Sequence, residues 1–190
     1  SGPTRPLPAS LDPISSPSSS VTVGASAGAF SVRVNDSHGN PISGVAVNFT
    51  VSLGGGSTTP VVDTTDADGS ASSALVVGTV PGPHQVTATV AGLAPLKSAT
   101  VAVGAGPNFR IATSTQSLRY PVTTNATFIS ATVRDSYNNV TGAAVTWTSR
   151  NPALVSVTPG NGNTASVQVA SRPGQTWVVA TAGTTSDSIP

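Results

Sequence analysis

The chain has no cysteine, no methionine and no glutamate, and Lys97 is its only lysine. Without thiols there is no disulfide staple, no thiol nucleophile and no soft metal ligand, although this alone assigns no compartment. The seven acidic residues (Asp12, Asp36, Asp63, Asp66, Asp68, Asp135 and Asp187) are all aspartate and, apart from the grouping at 63–68, dispersed, so they make a poor basis for general acid–base chemistry. Charged residues are only 8% of the chain, against about 25% in an ordinary soluble protein. The surface must therefore be built from Ser, Thr, Asn and Gln. A net charge of +1 with arginines placed singly excludes nucleic acid as a partner, since that needs clustered cations. No apolar run approaches the length of about 18 residues that spans a membrane. No basic, then apolar, then small-residue leader opens the chain, so Ser1 is expected to begin a mature protein or an excised fragment.

What remains is rich in strand formers. Hydrophobic residues make up 37%, Val and Thr recur throughout, and 19 Gly with 16 Pro supply turns. The best helix formers are depleted. The fold class is therefore all-β. At 190 residues the chain suits two sandwich domains, each of which takes roughly 100.

An internal repeat supports that count. Residues 31–50 read SVRVNDSHGNPISGVAVNFT and residues 130–148 read SATVRDSYNNVTGAAVTWT. Deleting Pro41 sets Val34 on Val133, Asp36 on Asp135, Asn40 on Asn139, Gly44 on Gly142, Val47 on Val145 and Phe49 on Trp147. A weaker match sets Pro81-Gly82 on Pro173-Gly174 and Val86–Ala88 on Val178–Ala180. Inside each copy the period is two. Phe30, Val32 and Val34 alternate with polar residues, as do Ile129, Ala131 and Val133. After a turn come Val45, Val47, Phe49 and Val51, answered by Ala143, Val145 and Trp147. Such alternation buries one face of an antiparallel sheet and wets the other. Further strands are expected near residues 71–77, 86–90 and 100–103, and near 165–169 and 177–182. Val101–Pro107 reads as the joint between copies.

The run Val34-Asn-Asp36-Ser-His-Gly39-Asn40-Pro41 through Gly44-Val45-Ala-Val47-Asn-Phe49, followed by Asp66-Ala-Asp68-Gly69 and Pro81-Gly82, resembles the bacterial immunoglobulin-like (Ig-like) domain of invasin and intimin adhesins. The second copy resembles the related bacterial Ig-like group through Val145-Thr-Trp147-Thr-Ser-Arg150-Asn-Pro152 and Pro173-Gly174. The resemblance covers residues 21–190. It implies two tandem Ig-like antiparallel β-sandwiches, residues 21–104 and 105–190, behind an extended Pro/Ser-rich arm at 1–20. For function it implies only a range, from stalks and adhesins to appendage subunits and virion ornaments.

Candidate sites are few. His38 and His84 fall at expected turns with no nucleophile or carboxylate at useful spacing, and are read as solvated turn histidines. No catalytic residue, cofactor or resident metal is expected. Asp63, Asp66 and Asp68 place three carboxylates close together, a calcium-like grouping, but the later Glu of an EF-hand is missing and Asp-Gly suits a turn. Asn35, Asn48, Asn125 and Asn139 each open an Asn-x-Ser/Thr triplet. Trp147 falls in phase with buried neighbours, whereas Trp177 is out of phase with Val178 and is expected to be exposed.

In the arm, Leu7, Ala9, Leu11 and Ile14 form a small apolar set, and its prolines would confine any strand there to a sheet edge. The last strand of the second copy looks short, since only seven residues follow Gly183. Together these suggest subunits that associate head to tail, the arm of one lying on the sheet edge of the next. The sequence is read as a structural subunit of an extracellular bacterial appendage or surface fibre. The alternatives are a two-domain adhesin fragment that binds a cell-surface protein or glycan, and a virion domain that binds polysaccharide.

Overall fold

The computed structural model describes residues 6–120 and 126–190. The chain divides into two compact units, Ser1–Gly104 and Ala105–Pro190, and among the described residues every regular element is a strand. The first unit holds β1 (Ser10–Ser15), β2 (Ser20–Thr22), β3 (Ser26–Asn35), β4 (Ala46–Leu53), β5 (Gly56–Thr59), β6 (Val62–Thr64), β7 (Ser70–Val77), β8 (Gly82–Thr89), β9 (Leu96–Lys97) and β10 (Val101–Gly104). They form one sheet in the order β1-β3-β7-β5 and a second in the order β2-β10-β8-β4-β6, with β9 also on β8. The second unit holds β11 (Arg110–Thr113), β12 (Thr127–Arg134), β13 (Thr146–Ser149), β14 (Val155–Pro159), β15 (Thr164–Val169), β16 (Val178–Ala182) and β17 (Thr185–Ile189). Its sheets run β11-β12-β15-β14 and β13-β16-β17.

The alternation seen in the sequence is the packing. Phe30, Val32 and Val34 on β3 are fully buried, as are Val47 and Phe49 on β4. The Phe30 and Phe49 rings meet edge to face, 6.2 Å between centroids at 85°. In the second unit Ile129, Val133, Trp147, Val167, Val178 and Ile189 make the equivalent core. Each such side chain contributes about 1.5–3 kcal/mol by leaving water.

The same turn recurs where an aspartate ends a strand. Asp36 N–H donates to Asn40 O (2.8 Å) and Gly39 N–H to Asp36 O (3.1 Å). Asp66 with Ser70 and Gly69, and Asp135 with Asn139 and Asn138, repeat the pattern. The fourth residue must adopt positive φ: Gly39 at 80°, Gly69 at 70° and Asn138 at 71°. Asparagine tolerates that conformation where most residues do not, so Asn138 replaces the glycine of the first copy without breaking the turn.

Several expectations are corrected. Ile42 N–H donates to Val34 O and Thr141 N–H to Val133 O, both at 3.0 Å, so the copies stay in step through these residues. The one-residue difference therefore lies at Ser43, before Gly44 and Gly142, and not at Pro41. Residues 10–15 of the arm form β1, an edge strand on β3, where Pro13 needs no N–H for an outer partner. The expected joint is split, since Val101 and Val103 are inward residues of β10. In the second copy, β13 starts only at Thr146. Upstream, the Asn163 side chain takes the place of a neighbouring backbone: its Oδ1 accepts from Val145 N–H (2.9 Å) and its Nδ2 donates to Ala143 O (2.8 Å). In the first copy the backbone of Thr65 serves there, accepting from Gly44 N–H (2.8 Å) and donating to Val45 O (2.9 Å).

Candidate binding cleft

The apolar set of the arm does not share one environment. Leu7 is 80% exposed and Ile14 49% exposed. Ala9 is exposed and its N–H donates to Asn35 O (2.8 Å). Leu11 is half-buried against the core of its own sandwich.

The histidines part company. His38 is exposed beside Asp36, as a turn residue should be. His84 is not a solvated turn residue: it lies on β8 and is buried, its Nδ1 3.2 Å from Gly82 O and its Nε2 without a hydrogen-bond partner. The strand begins four residues earlier than the start expected at Val86, and the ring points inward onto Gly54, where a Cβ would lie 2.4 Å from it.

Most of the aspartates work for the backbone. Asp36 Oδ1 accepts from the N–H groups of His38 (2.8 Å) and Asn40 (2.9 Å). Asp66 Oδ1 accepts from Asp68 and Ser70 N–H, both 2.9 Å. Asp63 accepts from Thr64 (2.9 Å) and Ser72 (2.8 Å). The trio Asp63, Asp66 and Asp68 is therefore turn and strand architecture, and among the described residues no group of three or more His, Asp or Glu gathers where a metal ion would sit. Hydrogen bonding from the Asn40 backbone, which outweighs desolvation, holds the Asp36 carboxyl below the usual carboxylate range, with the Asn40 side chain, His38 N–H and the His38 charge adding to it. At Asp135 desolvation is the largest single influence and pushes upward. The Asn139 side chain and the N–H groups of Gly106, Asn139 and Tyr137 together outweigh it, and the carboxyl is again lowered.

Of the Asn-x-Ser/Thr positions, Asn35 donates to Asp12 (3.0 Å) and Asn139 to Asp135 (3.0 Å), while Asn48 is exposed on β4. Asn125 lies outside the described residues.

The two tryptophans differ as the phase of the strands requires. Trp147 is 4% exposed, its Nε1 donating to Asn163 O (3.3 Å). Trp177 is 42% exposed, with the Arg150 guanidinium 5.9 Å from its ring centroid. Trp177 also borders a cleft of about 490 Å³ in the second domain. It is lined by Ser117, Leu118, Arg119 and Tyr120, by Gly174, Gln175, Thr176 and Trp177, and by Val155, Val167, Val169, Val178, Ile189 and Pro190.

This cleft was not visible in sequence, yet the register explains it. Phe49 pairs with Ala88 across β4 and β8, and Trp147 pairs with Ala180 across β13 and β16. Counting back from Ala88 and Ala180, Thr176 holds the place of His84, and Trp177 that of Gln85. A small residue thus stands where the first copy has a buried ring, and Thr176 Oγ1 is buried without a hydrogen-bond partner. The signal was the weak Pro-Gly match, which carries this alignment.

Residues 11–104 match the family model of the bacterial Ig-like domain (group 1). No curated protein matches the chain. Among solved structures, the FdeC adhesin of Escherichia coli is similar at 20% identity, over 95% of this chain and 63% of that one, with a TM-score of 0.49. The Yersinia pseudotuberculosis adhesin InvE is similar at 20% identity, over 98% of this chain and 60% of that one, with a TM-score of 0.47. A C-terminal fragment of intimin, solved with the intimin-binding domain of its translocated receptor, is similar at 18% identity, over 96% and 63% of the two chains, with a TM-score of 0.44. The chain thus spans 60–63% of the length of these structures. The first domain of the chain belongs to the bacterial Ig-like domain family, group 1.

Proposed function

We propose that the chain is a structural and adhesive module of the bacterial cell surface, non-catalytic, and a subunit of an extracellular fibre that associates head to tail. The match of residues 11–104 to the bacterial Ig-like family carries the reading. The side chains support it. Asp36, Asp63, Asp66 and Asp135 pin backbone N–H groups, and His84 is packed under Gly54 rather than set in an open site. What these groups supply is stiffness: each aspartate turn fixes the joint between consecutive strands. An exterior of neutral hydrogen-bonding residues also interacts little through screened charge, which suits a protein exposed to varying salt. For assembly, Leu7 and Ile14 of the arm are exposed and available to a neighbour.

The adhesin reading has its own support in Phe109 (65% exposed), Phe128 (80%) and Tyr137 (50%), aromatic side chains of the second domain that face solvent. The similar E. coli and Yersinia proteins are themselves adhesins. Electron microscopy of the purified chain, with and without residues 1–9, separates the two. End-to-end fibres that shorten on truncation support the subunit. Single particles in both preparations that bind cells support the adhesin.

A further inference from the structure

We propose that the outer sheet face of the second domain carries a binding site for a carboxylate-bearing saccharide, built around Arg110 and Arg134. The two arginines are distant in sequence, but β11 and β12 set them directly opposite each other. Both point outward, since their neighbours Ile111 and Val133 are buried. One residue gathers them: Arg110 Nη2 donates to Asn138 Oδ1, and Arg134 Nη1 donates to Asn138 O (2.8 Å). Like charges placed opposite on a sheet destabilise it, so the pair favours an anion set between them.

Within the domain both side-chain carboxylates are engaged elsewhere. Asp135 is buried, its Oδ1 accepting from Tyr137 and Asn139 N–H and its Oδ2 from Gly106 N–H and Asn139 Nδ2. Asp187 lies on β17 in the other sheet and accepts from Thr113 Oγ1 (3.2 Å). Against these two aspartates the second domain has five arginines, a net charge of +3. The first domain, with three cations and five aspartates, carries −2.

The first domain shows what belongs between the two arginines. Leu11 opposite Val34 answers Ile111 opposite Val133, so Ser10 and Asn35 hold the places of Arg110 and Arg134, and Asp12 that of Ala112. There Asp12 Oδ2 accepts from Ser10 Oγ (2.7 Å) and from Asn35 Nδ2 (3.0 Å). The second domain has guanidinium groups where those donors stand and a methyl group where the carboxylate stands. Asn138, which ties the arginines together, takes the place of Gly39, which has no side chain. A carboxylate from outside restores the missing acceptor, and guanidinium groups bind one through charge-assisted hydrogen bonds.

The rest of the face selects the ligand. Thr132, Ser130 and Phe128 follow Arg134 along the outward side of β12, alternating with buried Val133, Ala131 and Ile129. Arg134 and Phe128 are about 20 Å apart along the strand, room for a short oligosaccharide. The hydroxyls of Thr132 and Ser130 donate to and accept from sugar hydroxyls. The Phe128 ring, 80% exposed, meets the apolar face of a sugar ring. An acidic peptide would instead lay its further carboxylates over Thr132, Ser130 and Phe128, none of which is cationic. That the sugar belongs to a cell surface rests on the adhesive reading above; the cation pair itself rests on the register.

The test titrates the whole chain with trigalacturonate by calorimetry at low salt. Saturable one-to-one binding that weakens as salt rises is expected. Arg110→Gln and Arg134→Gln should each weaken it about tenfold, the worth of one charge-assisted hydrogen bond. Arg172→Gln removes the same charge elsewhere in the domain and should leave binding unchanged. Ala112→Asp rebuilds the internal carboxylate of the first domain, and should weaken binding at least about tenfold with no loss of melting temperature. Should an arginine variant not fold, Ala112→Asp still decides. No saturable binding overturns the site, as does equal binding of a neutral galactose trimer or an equal loss in Arg172→Gln. Tighter binding of a tetra-aspartate peptide would assign the pair to a protein ligand and overturn the sugar. Bacteria that adhere through the chain without trigalacturonate binding would remove the site and leave the adhesive reading. Sugar binding without adhesion would do the reverse.

Discussion

Replacing Asn163 by alanine should unfold the second domain at markedly lower temperature and leave the first untouched. The side chain makes two hydrogen bonds, from Val145 N–H at 2.9 Å and to Ala143 O at 2.8 Å, and stands in for a strand that the sheet lacks there. Each is worth about 1 kcal/mol net. Asn163 also has φ of 63°, and alanine in that conformation costs about 1 kcal/mol more. The sum is about 3 kcal/mol, which lowers the melting temperature of a domain this size by about 12–24 °C. Asn163→Gly keeps the backbone conformation and should cost about 2 kcal/mol. The assay is built into the sequence: Trp147, Trp177, Tyr120 and Tyr137 all lie in the second domain, so intrinsic fluorescence reports that domain alone. Calorimetry follows the first domain in the same sample. If Asn163→Ala melts within a few degrees of the parent, the carboxamide is not holding Ala143 and Val145, and the argument fails.

In the first domain, Phe49→Ala empties the edge-to-face contact with Phe30 and should cost about 3–5 kcal/mol in the calorimetric transition that fluorescence does not see. Gly54→Ala drives a methyl group into the His84 ring at a residue with φ of 75°, and should lower the same transition by several degrees. At the turn of the second copy, Asn138→Gly should be nearly neutral while Asn138→Ala costs about 1 kcal/mol, because φ there is 71°. For pH, the folded-state carboxyls of Asp36 and Asp135 titrate below their unfolded value of about 3.9, so their stabilisation is complete above that value and is lost as pH falls through the folded one. Melting temperature should hold near a plateau above about pH 5 and drop below pH 4, less steeply in Asp135→Asn. An equal acid slope in that variant would contradict the assignment.

The core was legible because burial follows a period of two: Phe30, Val32, Val34, Val47, Phe49 and Trp147 are inward where alternation puts them. The turn at Asp36 was legible because Asp, Gly and Asn have few other ways to be useful in sequence. What escaped reading lacks a periodic signal. β5 and β6 are short and polar, held by ladder bonds to β7 and β4 rather than by apolar alternation. His84 read as a turn residue because Gly82 and Pro83 precede it, although β8 already includes both. The role of Asn163 depends on Ala143 and Val145, some 20 residues away, and no local pattern announces it. The cleft is likewise a difference between the copies. It became visible only when Thr176 could be placed on His84 by pairing.

The claim that this is a surface module is tested most directly on intact bacteria that produce the chain, using gold-labelled antibody raised against residues 1–104. Labelling of unpermeabilised cells, along projections or the outer face, is the expected result. Gold that reaches its target only after the envelope is opened would contradict it.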